Sequence, residues 1–268
     1  MILSRILGFR LVTQDAERLV AFYEALGFRT GEPRPIAHDE MALLGLRGGG
    51  LRTPLTLGDQ WIELDSYDDA GRPYPTDATS ADPIFQHFAL VTDDADAMWR
   101  RARDADAMPI SRAGPVTLPP RSGGVRAVKF RDPHGHPLEF LQFPDPAAHP
   151  WRGRGVQGID HSAIAVTDEA RSRRFYEERG LSAADGTLNR GAEQECLDGL
   201  DDVRVRVRPM KPAVGPTNLE LLGYERPRPQ PGGGGPAVND VAATRVVWAA
   251  DEATLLRDPD GHLHQVSG

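Results

Sequence analysis

The chain repeats itself, and that restricts it to folds assembled from copies of one small unit. VTQDAERLVAFYEALGF (12–28) and VTDEARSRRFYEERGL (166–181) each hold an apolar start, an Asp, a Phe-Tyr pair seven residues on, and then a Gly. Phe22-Tyr23 and Phe175-Tyr176 are 153 residues apart. WIELDSY (61–67) matches NLELLGY (218–224), Glu63 on Glu220 and Tyr67 on Tyr224, at an offset of 157. Asp82 in SADPIFQHFALV matches Asp240 in VNDVAATRVVWA at 158, and FRDPHGHPLEF (130–140) matches LRDPDGHLHQV (256–266) at 126. Four matches in one order imply two homologous halves, 1–148 and 156–268. They are joined by PDPAAHPWRGRG, which has the Pro- and Gly-rich character of a boundary.

The fall in offset from 158 to 126 means that the second half lacks about 32 residues between Val247 and Leu255. In the first half that interval holds DDADAMWRRARDADAMPI, a helix by its apolar spacing (Ala95, Met98, Ala102) and its Asp caps. Losing it uncovers one sheet face, so a second subunit, a homodimer, is the expected cover. Each half repeats again internally. VTQD, VTDDADAMW and VTDEARSRRFY read as strand, Asp cap, helix; IEL, LEF and LEL read as strands carrying an inward acid. DPHGH and DPDGH are turns, with Pro fixing φ and Gly free to take positive φ. The result is an α+β chain of four units, the last truncated.

Composition narrows the function. The net charge is −8, which disfavours nucleic acid, since phosphate needs clustered Lys and Arg. The one cysteine, Cys196, excludes an internal disulfide and a Cys-based zinc site, and nothing beside it marks a nucleophile. No run approaches 18 apolar residues and the N-terminal segment lacks a signal-peptide pattern, so the expectation is a soluble, cytoplasmic protein that engages neither membrane nor nucleic acid. GGG (48–50) and GGGG (232–235) read as loops, not phosphate cradles.

VTQDAERLVAFYEALGF, FQHFALVTDDADAMW, FRDPHGHPLEF, GIDHSAIAVTDEARSRRFYEERGL and LRDPDGHLHQV together resemble the βαβββ module of the vicinal oxygen chelate (VOC) superfamily, which includes glyoxalase, bleomycin-resistance and extradiol dioxygenase-like proteins. The resemblance implies modules forming two cup-shaped mixed sheets. It also implies a divalent metal (Zn, Fe, Ni, Co or Mn) held by the first and last strand of each module. With modules paired within each half, the ligand positions of the first half fall on Gly8, Glu63, His87 and Glu139. Gly8 supplies nothing, so Glu63, His87 and Glu139 are the expected metal ligands, with Glu63 and Glu139 also the expected catalytic carboxylates. In the second half the positions fall on His161, Glu220, Thr244 or Arg245, and Gln265. Arginine carries only donors and cannot ligate a metal, so His161, Glu220 and Gln265 read as a degenerate second site.

Arg10 shares strand parity with Gly8 and points into the cup, to bind a substrate carboxylate or to pair with a ligand glutamate. Tyr67 and Arg72 stand at the start of a long loop near the cup mouth and are candidate substrate contacts. His134, His136 and His262 read as turn or surface residues, and His264 as lying outside the cup. The function implied is a metal-dependent enzyme of the glyoxalase or dioxygenase type acting on a small oxygenated molecule, a lyase or isomerase working by chelation and carboxylate-assisted proton transfer. Two alternatives stand beside it: an extradiol-type ring-cleaving dioxygenase, and a metal-free protein that sequesters a drug-like ligand, as bleomycin-resistance proteins do. Metal content separates the last from the enzymes, and oxygen uptake with catechols separates the enzymes from each other.

Overall fold

A computed structural model describes residues 1–229, 235–250 and 252–267. Of the GGGG run, all but Gly235 lies outside the described residues. Module one holds β1 (Arg5–Val12), α1 (Ala16–Ala25), β2 (Arg29–Thr30), β3 (Arg34–Pro35), α2 (His38–Leu43), β4 (Gly50–Leu57) and β5 (Gln60–Tyr67). Module two holds β6 (Gln86–Thr92), α3 (Ala95–Asp104), β7 (Met108–Pro109), β8 (Val116–Thr117), β9 (Arg126–Arg131) and β10 (Pro137–Gln142). Module three holds β11 (Val156–Val166), α4 (Glu169–Glu177), β12 (Ser182–Ala183), β13 (Thr187–Arg190), α5 (Ala192–Asp198), β14 (Arg204–Lys211) and β15 (Asn218–Arg226). Module four keeps β16 (Arg245–Ala249), β17 (Thr254–Arg257) and β18 (Leu263–Ser267). The aspartates expected as caps do cap: Asp15, Asp94 and Asp168 accept from the backbone N–H three residues on and start α1, α3 and α4.

Two mixed sheets result. One runs β17-β18-β16-β1-β5-β4-β2, the other β12-β14-β15-β11-β6-β10-β9-β7. Each therefore joins modules from both sides of the 149–155 connection: one with four, two with three. The sequence expectation paired one with two. Every module offers the same first-strand edge, so local pattern fits either pairing. The seams form where β1 meets β16 and β6 meets β11, both antiparallel. The two sheets pack back to back, with Phe9 of β1 stacked on Phe88 of β6 at 5.4 Å between ring centroids, inside a core shared with α1, α3 and α4.

The repeated motifs lock the two sheets together. Tyr23 Oη donates to Asp132 Oδ2 at 3.0 Å, and Tyr176 Oη to Asp258 Oδ2 at 2.9 Å. His136 Nε2 meets the carbonyl of Val12 at 3.0 Å, and His262 Nε2 that of Ala165 at 2.9 Å. Each bond joins modules whose strands lie in different sheets, one to two and three to four. His136 and His262 are thus buried staples rather than turn or surface residues. His264 lies outside the cup, as expected, between Trp248 and Tyr176. No helix intervenes between β16 and β17 among the described residues. The face it would cover is closed from within the chain: Trp248 and Val266 are buried in the same core as Tyr176 and Leu181 of module three.

Candidate metal centre and cavity

Strand register places the eight ligand positions. In module two Ala89 pairs with Glu139 and His87 lies two residues earlier; in module three Ala163 pairs with Glu220 and His161 lies two earlier. In module one Arg10 pairs with Glu63, which puts Gly8 at the ligand position; in module four Val247 pairs with Gln265, which selects Arg245 over Thr244. Because modules two and three share a sheet, His87, Glu139, His161 and Glu220 gather in one cup. Gly8, Glu63, Arg245 and Gln265 belong to the other.

The first cup is filled by ion pairs. Glu63 accepts from Arg10 Nε at 2.8 Å and from Arg34 Nη2 at 2.5 Å, and Arg52 Nε lies 3.3 Å away. Glu40 of α2 accepts from Arg10 at 2.6 Å, from both Nη atoms of Arg52 at 2.6 and 2.7 Å, and from Gln265 at 2.7 Å. Asp65 takes Arg52 and Arg245, and Tyr67 Oη joins that network 2.9 Å from Arg245. At Gly8 a Cβ would come within 2.4 Å of the Trp61 ring, so no ligand side chain fits there. The expected set of Glu63, His87 and Glu139 is therefore not brought together. Glu63 is held by guanidinium groups in the first cup, and Gln265 is held there too, away from His161 and Glu220. Arg10 does take the second of its two expected roles, pairing with a glutamate. Arg72 binds Asp240 Oδ2 at 2.7 Å and is mostly exposed.

In the second cup, His87 Nε2 lies 3.0 Å from Glu139 Oε2, and His161 Nε2 lies 3.8 Å from the same oxygen and 3.5 Å from Glu220 Oε2. One ligand atom each from His87, Glu139 and His161 falls within a 4.8 Å span. Burial raises the Glu220 carboxyl above its ordinary value. Burial would also raise Glu139, but the His87 hydrogen bond and the Lys129 charge win and hold it at about 2. Burial pulls His87 down to about 4 against Glu139's opposition. His161 would fall on burial, but Glu220 and Asp160 lift it to about 9. A cluster this acidic and this buried needs a positive partner; the His161 proton serves when no ion is bound.

The donor set fits a divalent ion: imidazole nitrogens and carboxylate oxygens suit Zn, Fe, Ni, Co or Mn. Asp160 adds to the fit. Its Oδ2 lies 3.1 Å from His161 Nδ1, and its Oδ1 accepts from Trp151 Nε1 at 2.9 Å. Engaging Nδ1 leaves Nε2 of His161 to face the cluster, the usual arrangement behind a metal-bound histidine.

The cluster opens on a cavity of about 250 Å³. Its walls include Leu118, Leu141, Phe143, Val205 and Leu222. Lys129 also lines it, its Nζ bonded to buried Asp198 at 2.7 Å, and Gln194 Nε2 donates to the same carboxylate at 2.9 Å. Arg10, Tyr67 and Arg72 are not among the lining residues. Sequence reasoning missed Asp160, Lys129, Gln194 and Asn189. The signal present was internal: GAEQECLDGL (191–200) aligns with AHDEMALLGL (37–46), so a helix over one cup implies a helix over the other.

No curated protein sequence matches the chain. Among solved structures, glyoxalase I from Zea mays is similar at 15% identity and a TM-score of 0.61, over 98% of this chain and 92% of that one. A putative dioxygenase from Bacillus subtilis subsp. subtilis str. 168 is similar at 13% identity and a TM-score of 0.59, over 99% and 85%. Both likenesses concern the fold. The profile of one family, the Glyoxalase/Bleomycin resistance protein/Dioxygenase superfamily, matches residues 5–140, which span module one and module two through the Glu139 strand. With three βαβββ-type modules and a truncated fourth, two mixed sheets and a His-and-Glu cluster at one seam, the chain belongs to that superfamily.

Proposed function

We propose that the second cup is the active centre of a metal-dependent enzyme that moves a proton on a small oxygenated molecule. One observation carries this reading: two imidazoles and two carboxylates from four strands meet on the wall of one cavity. His87, Glu139 and His161 would hold the cation, which when bound supplies Lewis-acid polarisation of the substrate's oxygens. Glu220 is the general base. Its burial raises its proton affinity above that of an ordinary carboxylate, which strengthens it as a base. Glu139, held ionised by His87 and Lys129, keeps its charge while Glu220 takes and returns the proton. The apolar walls limit the water that competes for that proton. The test is elemental analysis of purified protein, followed by assay of α-ketoaldehyde hemithioacetals and α-chiral thioesters for carbon-bound proton exchange into D2O. Metal near one per chain together with exchange supports the proposal. Absence of metal after loading with each of the five candidate ions would refute it.

A second reading has its own support. His87, His161 and Glu139 make a two-His, one-carboxylate set, the combination used by non-haem Fe(II) oxygenases. Oxygen consumption with catechols, strictly dependent on Fe(II), would favour ring cleavage over proton transfer.

A further inference from the structure

The two cups use equivalent helices in opposite ways. Glu40 is the third residue of α2, and Gln194 the third residue of α5. In the first cup Glu40 accepts N–H donors from Arg10, Arg52 and Gln265, and those side chains fill the space. In the second cup Gln194 gives its Nε2 to Asp198, which fixes the amide, and its Oε1 is buried with no partner. Asn189 of β13, 7% exposed, likewise has a buried Oδ1 with no partner. Both side chains line the cavity. A buried acceptor without a donor is costly, so these two oxygens are available to a donor that enters the cavity.

Charge narrows what enters. The lining carries Glu139, Asp160, Asp185 and Glu220. Lys129 is its only Lys or Arg side chain among the described residues, and Asp198 already holds that ammonium. A bound dication would offset two of the four negative charges and leave no positive excess for an anion. The size, about 250 Å³, lies below the roughly 300–1,000 Å³ of drug-sized sites.

We propose that the second cup takes a small neutral or cationic substrate, not a phosphorylated or carboxylated one. Its N–H or O–H groups are accepted by Gln194 Oε1 and Asn189 Oδ1, while its apolar part lies against Leu118, Leu141, Val205 and Leu222. This rests on the second cup being the substrate site, and extends that reading to substrate class. In the first cup the chain's own arginines and Gln265 play the part that the substrate's donors play here.

The test uses three probes of one shape: benzamide and benzyl alcohol as neutral donors, and benzoate as the anion. Affinities are measured by ligand-observed NMR on the full chain as purified, with metal content determined in parallel. Benzamide and benzyl alcohol are expected to bind at least 10-fold more tightly than benzoate. Gln194→Ala is expected to weaken benzamide about 3–10-fold, the usual worth of one hydrogen bond. Asn189→Asp, which keeps an acceptor, is expected to retain benzamide binding and weaken benzoate further; it also guards against a folding defect in the alanine variant. Benzoate binding as tightly as benzamide, none of the probes binding, or benzamide unaffected by Gln194→Ala would each overturn the proposal. A protein that stays without metal after loading and still shows the benzamide preference would sink the metal-enzyme reading and leave the substrate class standing.

Discussion

His87 and His161, 74 residues apart in the chain, face each other across the β6–β11 seam with ring centroids 5.7 Å apart. The register that pairs His87 with Ala163 and Ala89 with His161 makes the two imidazoles neighbours, and parallel partners bring Glu139 and Glu220 beside them. The candidate centre is therefore a property of the seam between modules two and three.

Metal content should follow that seam. His161→Ala and His87→Ala are each expected to lower affinity for Zn(II) by at least about 100-fold, more than the 10–100-fold typical of outer-shell changes. Glu63→Gln, in the first cup, should leave metal content unchanged. Chelator competition reads all three; equal loss in Glu63→Gln would move the centre to the first cup.

Asp160 and Trp151 orient His161 from behind. Asp160→Asn keeps the shape and loses the charge, and a roughly 10-fold loss of metal affinity is expected. Trp151→Phe removes only the N–H to Asp160 and should cost less. If Asp160→Asn binds metal like the parent protein, the orienting role is refuted.

The Lys129–Asp198 pair is buried on both sides. Lys129→Met leaves the Asp198 carboxylate with Gln194 alone, and losing one member of a buried pair costs about 3–5 kcal/mol. Urea denaturation should show that loss. Lys129→Met combined with Asp198→Asn should recover part of it, because the uncompensated charge is gone.

His264 makes stability pH-dependent. Burial holds it down to about 4, against 6.5 in an unfolded chain. It receives the Trp248 Nε1–H on Nδ1 at 3.0 Å, and Tyr176 Oη stands 2.9 Å from its Nε2. Between pH 6.5 and 4 the unfolded chain binds a proton at this residue and the folded chain does not, so stability falls with falling pH across that window. The shift is worth about 3 kcal/mol at roughly 1.4 kcal/mol per unit. His264→Gln is expected to flatten that part of the stability profile, measured by denaturation from pH 7 to pH 4; an unchanged slope would exclude the assignment.

The Tyr–Asp bonds join modules of different sheets, so Tyr23→Phe and Tyr176→Phe should each destabilise by about 1–3 kcal/mol, since Asp132 and Asp258 each lose a donor. Tyr176→Phe should cost the more of the two, because Tyr176 Oη also meets the buried His264 Nε2; urea denaturation of both variants checks the difference.

Much of this was legible beforehand, and for local reasons. An Asp cap before a helix, an inward acid on a strand and a DPxGH turn all depend on neighbours within a few residues. The four units, the missing helix and His264 outside the cup follow from such patterns; Gly8 as an empty position came with the family resemblance, and of the two roles open to Arg10 the structure chose the glutamate pair. Asp160 and Gln194 carried no such mark: a polar residue beside a strand histidine or early in a short helix is common, and only its partners give it a role.

The sequence, read with its family resemblance, located seven of the eight ligand positions, and strand register settled the eighth on Arg245 rather than Thr244. Tertiary structure alone decided which four share a cup. Any module's first strand can pair with any other's, because the edges carry the same backbone hydrogen bonds. The choice fell to long-range terms, such as Phe9 stacked on Phe88 and the staples from His136 to Val12 and from His262 to Ala165. Those contacts turn the two sheets back to back. Modules two and three then unite both histidines with both carboxylates, and modules one and four are left with arginines and the glutamates they neutralise.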